Sequence, residues 1–450
     1  MTVDRFHDTD AVPLSERRGP LTMGLIWLSM VTGSPAVLAG FAWCGKGFSL
    51  FQVLVCTFIS SLILLIYSVP ANHLGARSGL SYSILSESVF GRLGSYVVRI
   101  NLLWVFLFWY GWIALFVGVS AKGIYGMSLP TAVLGAFFAI AMAVPNFFGF
   151  TGVANVSRYL SAPILITWVA FCFFKAARNV PQEALWQNSH ADFATAITVI
   201  SSFVIGFAIW GNEPDYWRHS RPRKLFSGLA VFISLLIGQV IFPMTGWMLS
   251  KISGISEAQP AFRFLNEYSL ASIPFLAFLV LLSDNGAAND SNLFGLITAL
   301  RSLRSMTHKT AVVVLAIAGA LVAASLSALG TVKSLEQVAS LNCVIVPTPT
   351  VIMLAEWYLS KRYCGQPFFA TIVPFDQLQF IRWPALIALA IGIATGVLTS
   401  GVIPGTEALH VGICSVQAWL AALLVYIPLR QKELAKTQPI TLQQAPEPVD

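Results

Sequence analysis

Apolar residues come in long runs along this chain, separated by short stretches that carry Gly, Pro or charge. A helix needs about 20 mostly apolar residues to cross a ~30 Å hydrocarbon core. Twelve runs meet that length, near residues 22–43, 49–70, 97–121, 131–151, 156–175, 194–213, 226–249, 271–300, 310–328, 337–358, 381–401 and 406–429. They predict an all-α polytopic membrane protein with twelve transmembrane helices, called segments 1 to 12 below. Segment 10 is the most diluted, by Glu336, Gln337, Asn342 and two prolines. Between segments 2 and 3, Leu80, Ile84, Leu85, Val89 and Leu93 recur at roughly helical spacing, which predicts an amphipathic helix lying at the membrane interface. Residues 1–21 are polar and charged, so no cleavable signal peptide is expected ahead of segment 1. The tail, residues 431–450, is polar and Pro-containing and is predicted disordered.

Composition agrees with a bilayer setting. Of 450 residues, 56% are hydrophobic and 10% charged, against about 25% charged in soluble proteins, and the mean hydropathy is +0.74. An even number of spans places both termini on one side. With that side cytoplasmic, 20 of the 27 Lys and Arg residues fall inside and the remaining 7 outside, the asymmetry of a protein in the cell inner (plasma) membrane. The same count accounts for the net charge of +7 without nucleic acid as a partner. Six scattered cysteines form no CxxC or metal-ligand spacing, so neither a disulfide framework nor a zinc site is expected.

Two spans are interrupted. Segment 1 carries Thr32, Gly33, Ser34 and Pro35 in its middle, and segment 6 ends in FAIWGNEPDYWRH, with Pro214. Broken helices five apart in order point to an inverted-repeat transporter, and the backbone groups freed at such breaks need ions, substrate or polar side chains as partners. Segment 8 holds Asp284 and Asp290 within an otherwise apolar run, and Asn285, Asn289 and Asn292 share one helix face. An ionisable side chain at membrane depth costs about 3 kcal/mol on insertion scales, so Asp284 is a candidate functional group. In segment 3, Phe106, Trp109 and Ile113 share a face, either as packing or as a stacking wall for a planar ligand. Glu213 and Asp215 stand near Arg218, Arg221 and Arg223, where a solvated ion-pair face is the simpler reading. No Ser-His-Asp, HExxH or Walker-like spacing is present, so no enzyme and no ATP-driven pump is expected. Ion-driven transport without a cofactor remains.

Several ordered stretches carry a family resemblance: VPLSERRGPL, GARSGLSYSILSESVFGRLGS, WYG in segment 3, NFFGFTG, PDYWRHSR, the Asn-rich segment 8, VPTPTVIMLAEWYLSKRY and IRWPALIALAIG. Over about residues 13 to 430 the chain resembles the nucleobase:cation symporter family, which contains cytosine permease and the bacterial hydantoin transporter. The resemblance implies a leucine-transporter-like 5+5 inverted repeat with helices 1 and 6 broken. Repeat one would cover about 22–175 and repeat two about 194–358, with helices 11–12 at about 381–429, all within a transporter domain of 22–430. It also implies a small planar nitrogen heterocycle as substrate, a cytosine- or purine-type nucleobase or related compound, imported with a proton or sodium ion. The implied cation site comprises the carbonyls of Leu28, Val31 and Val280 with Ser283 and Asp284, where a carboxylate replaces the family's second hydroxyl. The implied substrate site comprises Trp109 stacking against Phe207 or Trp210, with Thr32, Ser34, Asn212 or Asn289 reading the ring edge. A carrier of an amino acid or amine on the same fold, using Glu213, is the second expectation, and a membrane sensor the third.

Overall fold

The structure is a computed structural model that describes residues 11–330 and 335–436. Regular structure among the described residues is helical, apart from one parallel bridge between Arg18 and Ser220. Each predicted run falls on helix. By length and apolarity alone, six stretches qualify as membrane spans, or eight when two bent pairs are counted. The longest, Thr131–Asn179, is broken after Ala141 by a turn, a tight 3-10 stretch at Val144–Phe148 and Gly149 at φ 60°. Its first part packs on segments 3 and 9 and its last part on segments 7 and 8, so segments 4 and 5 are separate elements. Phe193–Ala208 and Trp383–Thr399, in segments 6 and 11, are shorter apolar helices, and segment 12 is Cys414–Lys436. This arrangement is consistent with twelve spans.

The breaks occur where chain chemistry weakens the helix. Segment 1 is Pro20–Val31 followed by Ser34–Gly45, bent by 45°, with Thr32 extended and Pro35 in the first turn of the second half, where a missing N–H costs nothing. Segment 6 stops at Ala208, resumes at Glu213–Trp217, and turns through Gly211 at φ 73°. A Cβ at residue 211 would lie 2.4 Å from the Val346 carbonyl oxygen, so both conformation and space require glycine there. Segment 10 has a third break, between Leu335–Ile345 and Thr348–Cys364.

Segments 3 and 8 pack along much of their length, and the second half of segment 1 packs on segment 7. In that second pair a Cβ on Gly40 or Gly246 would fall about 2 Å from a backbone carbonyl, of Pro243 or Val37 respectively. Glu356 of segment 10 is buried and binds the Arg430 guanidinium through both oxygens, at 2.9 and 2.7 Å, accepts from Tyr426 Oη at 2.7 Å and lies 3.5 Å from Arg382. This ties segment 10 to segments 11 and 12. At the other end of segment 10, the buried thiols of Cys343 and Cys414 are 3.5 Å apart.

Two expectations need correction. The helix Tyr82–Phe90 is not interfacial: Leu80, Ile84, Leu85 and Val89 are buried in the bundle, and the helix runs into segment 3 through Gly91 at φ 75°. The helical spacing was read correctly, but the apolar face as far as Val89 is covered by protein, and Leu93, beyond the Gly91 turn, is 41% exposed. Segment 12 continues to Lys436, into the stretch predicted disordered; the rest of that tail and residues 1–10 lie outside the described residues.

The polar N-terminal stretch forms a strap. Val12 N–H donates to Gly79 at 3.0 Å, Arg18 N–H to His219 at 2.7 Å, and Arg221 N–H to Arg18 at 3.2 Å. Arg17 donates to the carbonyls of Val12 and Ala76. Arg18 also reaches Thr151 Oγ1 at 3.1 Å and lies over the Phe150 ring, which stacks on His219 at 4.0 Å. Burial, and then the guanidiniums of Arg218, Arg18 and Arg17, push the His219 pKa well below the usual histidine range.

Candidate functional site

A small, partly open cavity, with about 30 Å³ open to the centre of a water-sized sphere, lies between segments 1, 3, 6, 8 and 10. Its aromatic walls come from segments 3 and 6. Trp109 faces Phe207, with ring centroids 6.5 Å apart and planes at 71°, while Phe106 faces Trp210 at 5.8 Å. Phe203 stacks behind Phe207 at 5.6 Å, nearly parallel. Three sequence-predicted residues, Trp109, Phe207 and Trp210, therefore meet here, and Phe207 rather than Trp210 is the helix 6 ring opposite Trp109.

Two cavity-lining amides were not among the predicted site residues. Asn342, in the first half of segment 10, accepts from Trp109 Nε1 at 3.1 Å and donates to the carbonyls of Gly206 at 2.6 Å and Ile209 at 3.4 Å. It satisfies backbone oxygens freed at the end of the segment 6 helix and fixes the indole. Asn292, one turn beyond Ala288, lines the cavity, and its side chain hydrogen-bonds no described residue. It belongs to the amide stripe read in segment 8, whereas Asn342 left only a dilution of hydrophobicity as its signal.

The other predicted edge readers are engaged elsewhere. Asn289 donates to the Tyr110 carbonyl at 3.1 Å and to Met142 Sδ at 3.5 Å, joining segments 8, 3 and 4. Asn212 donates to Asp215 at 3.0 Å. Thr32 donates back to the Leu28 carbonyl, and Ser34 Oγ accepts from Asn285 at 3.2 Å. None of these four lines the cavity. Glu213 is buried too: it accepts the N–H groups of Trp210 and Gly211 at 3.2 and 3.1 Å and the Tyr67 hydroxyl at 2.8 Å. It caps the helix 6 break rather than facing solvent, which corrects the surface ion-pair reading.

Beside the cavity, segment 8 meets the break in segment 1. The Asp284 carboxylate accepts the Ser34 N–H at 2.5 Å and the Asn285 amide at 3.2 Å. It thus sits at the N-terminus of the second half of segment 1, the end of a helix that favours an anion. A Cβ on Gly33 would lie 2.8 Å from the other Asp284 oxygen, so glycine makes room for the carboxylate. The adjacent Ser283 hydroxyl is buried without a protein partner. The Val31 carbonyl accepts from Gln239 at 2.5 Å, and this glutamine lies in a π-helical stretch of segment 7. Of the three carbonyls expected in the cation site, two, those of Leu28 and Val31, already accept hydrogen bonds, from Thr32 and Gln239. Val280 lies one turn before Asp284 and is buried. No group of three or more His, Cys, Asp or Glu side chains suited to a metal occurs among the described residues.

Comparison with known proteins places this geometry. Cytosine permease of Escherichia coli (strain K12) is 24% identical over 413 residues, which cover 90% of this chain and 92% of that protein. The structure is similar to that of Mhp1, a nucleobase-cation-symport-1 family transporter in a closed conformation with bromovinylhydantoin bound, with TM-score 0.77 and 20% identity over 97% of each chain. It is also similar to inward-facing Mhp1, with TM-score 0.71 and 20% identity over 97% of this chain and 95% of that one. The solved structures share the fold, all-helical and leucine-transporter-like. Residues 11–415 match the family described as permeases for cytosine/purines, uracil, thiamine and allantoin, and the chain belongs to that family of multi-pass membrane transporters.

Proposed function

We propose that this permease imports a small planar nitrogen heterocycle of the nucleobase type across the inner membrane by alternating access, coupled to an inward-moving ion that binds at Asp284. The observation that carries the coupling is the buried carboxylate at the segment 1 break, with no ion-pair partner among the described residues. A charge so placed is compensated by a proton or a metal cation. The carboxylate in place of a hydroxyl favours a proton. Sodium is the second reading, favoured by the unpartnered Ser283 hydroxyl next to Asp284.

For the substrate, Trp109 and Phe207 supply the stacking faces and Asn292 the edge-reading amide. Two stacked contacts need ring faces ~7 Å apart, so a bound ring requires Phe207 to turn from its 71° angle towards parallel. Glu213, turned to its own backbone and Tyr67, offers nothing to an amine, which disfavours the amino-acid or amine carrier. Both termini are cytoplasmic in this reading, on the 20-to-7 distribution of basic residues.

The test is uptake of radiolabelled cytosine, uracil, adenine, guanine, allantoin, hydantoin and hydroxymethylpyrimidine into proteoliposomes under separately imposed proton and sodium gradients. One heterocycle should accumulate under one gradient, and Asp284→Asn should abolish accumulation while leaving facilitated equilibration. Full accumulation by Asp284→Asn with unchanged pH and sodium dependence would defeat the coupling assignment.

A further inference from the structure

Segment 8 carries a second acid that the coupling site does not use. Asp290 is 2% exposed, and its Oδ1 has no hydrogen-bond partner. Neither carboxylate oxygen bonds or pairs with any described residue. Six residues from Asp284, it lies on a different face of the helix, towards segments 3 and 4 rather than the segment 1 break. Its main-chain carbonyl accepts from Asn146 Nδ2 at 3.0 Å, the Asn146 Oδ1 is itself unpartnered, and the Asn146 carbonyl accepts from His308 Nε2 at 2.7 Å.

The ionisable groups around Asp290 include no close cation. Segment 3 presents Tyr110, whose hydroxyl is given to the Ala139 carbonyl. Segment 6 presents Tyr216, whose hydroxyl donates to the Ser291 carbonyl at 2.7 Å. Segment 9 presents the half-buried His308, and Arg158 of segment 5 is turned to Thr22 at 3.0 Å. An ionised carboxylate buried without a partner is strongly disfavoured against its neutral form. This arrangement favours the neutral, protonated carboxyl.

A seal lies on the side of the basic loops. Phe294, one turn along from Asp290, meets Phe150 at 5.5 Å and His219 at 6.3 Å, and Arg18 of the strap lies over Phe150. With Asp290 only 2% exposed and these rings packed on the next turn, the stack stands between the carboxyl and the basic loops, and its parting would let water in. Under the alternating access proposed above, the carboxyl can then ionise and give its proton to cytoplasmic water, and with the stack closed again it takes a proton from water admitted on the outward-facing side.

We propose that Asp290 is a second proton-binding site, loaded while the aromatic stack is closed and discharged to the cytoplasmic face when the stack parts, whichever ion Asp284 binds. The chemistry is an oxygen–hydrogen bond broken to hydronium and re-formed, with no other reactant.

The test uses the full chain in proteoliposomes with a trapped pH-sensitive dye, counting protons moved per radiolabelled heterocycle. Asp290→Asn should lower the count by about one proton per substrate while substrate-driven sodium or proton dependence at Asp284 persists. Asp290→Glu should keep the count and displace the pH at which uptake is half-maximal. Phe150→Ala should admit a proton leak without substrate, and adding Asp290→Asn should close it. An unchanged count and pH profile in Asp290→Asn would overturn the proposal, as would a Phe150→Ala leak indifferent to residue 290. Loss of ion dependence in Asp284→Asn alone bears on the coupling site and leaves this result readable.

Discussion

Asn342 holds the Trp109 indole at the cavity wall, and its truncation gives a calculable effect. Asn342→Ala removes the acceptor of the 3.1 Å bond from Trp109 Nε1 and the donor to the Gly206 and Ile209 carbonyls. The indole N–H is then buried without a partner, which costs about 1–3 kcal/mol. The stacking face is held in its present orientation only against that penalty. At 1.4 kcal/mol per tenfold, heterocycle affinity should fall roughly 5- to 150-fold. Equilibrium binding of the radiolabelled ligand to protein in nanodiscs measures it, with a fluorescence melt to confirm that the variant is folded. A double-mutant cycle isolates the cause, because Trp109→Phe keeps a ring but has no N–H to satisfy. The penalty for Asn342→Ala should shrink in that background by most of the 1–3 kcal/mol. Additivity of the two changes within ~0.5 kcal/mol would refute the positioning role.

Three further outcomes are expected. Glu356→Gln takes the negative charge out of the buried pair and leaves Glu433, at 2.7 Å, as the carboxylate against Arg430, so a loss of up to about 3–5 kcal/mol should appear as a lowered melting temperature, largely restored by Arg430→Met in the same chain. Gly246→Ala drives a Cβ to 1.8 Å from the Val37 carbonyl and should destabilise by more than the 1–3 kcal/mol of ordinary overpacking, whereas Gly286→Ala, with nothing within 4 Å, should be neutral or stabilising in the same melts. His219, held neutral by burial and flanking guanidiniums, takes up a proton more readily unfolded than folded. Stability of the strap region should therefore fall as pH drops below the unfolded value of about 6.5 and keep falling towards the depressed folded value. Limited proteolysis near Arg17 and Arg18 across pH reads this out, and His219→Gln should flatten it.

Length and apolarity made the spans legible, and Gly and Pro marked two of the three breaks. The break in segment 10 shows in VPTP but was masked by the polar residues around it. Asp284 stood out as a candidate because an acid in an apolar run has few explanations. Asn342 was not, since its role depends on meeting Trp109 and the end of segment 6 across more than 100 residues of chain, a coincidence no local pattern encodes. Asn289 and Asn292 share one stripe, and only packing decides which amide meets the cavity and which is spent on Tyr110. The strap looked like an ordinary polar end because each of its bonds uses a main-chain group or a partner far along the chain, to which local sequence is nearly silent.

The Cys343 and Cys414 thiols, 3.5 Å apart and shielded from solvent, equip the protein with an internal stopwatch. Cys343 is the immediate neighbour of Asn342, so it is anchored to the cavity wall, while Cys414 begins the last helix. A maleimide reacts only with a thiol it can touch, so labelling at this pair records how often the wall of segment 10 leaves segment 12. Run with and without ligand, and read at Cys343 and Cys414 apart from the exposed Cys364, such a chase would turn occupancy of the cavity into dwell times.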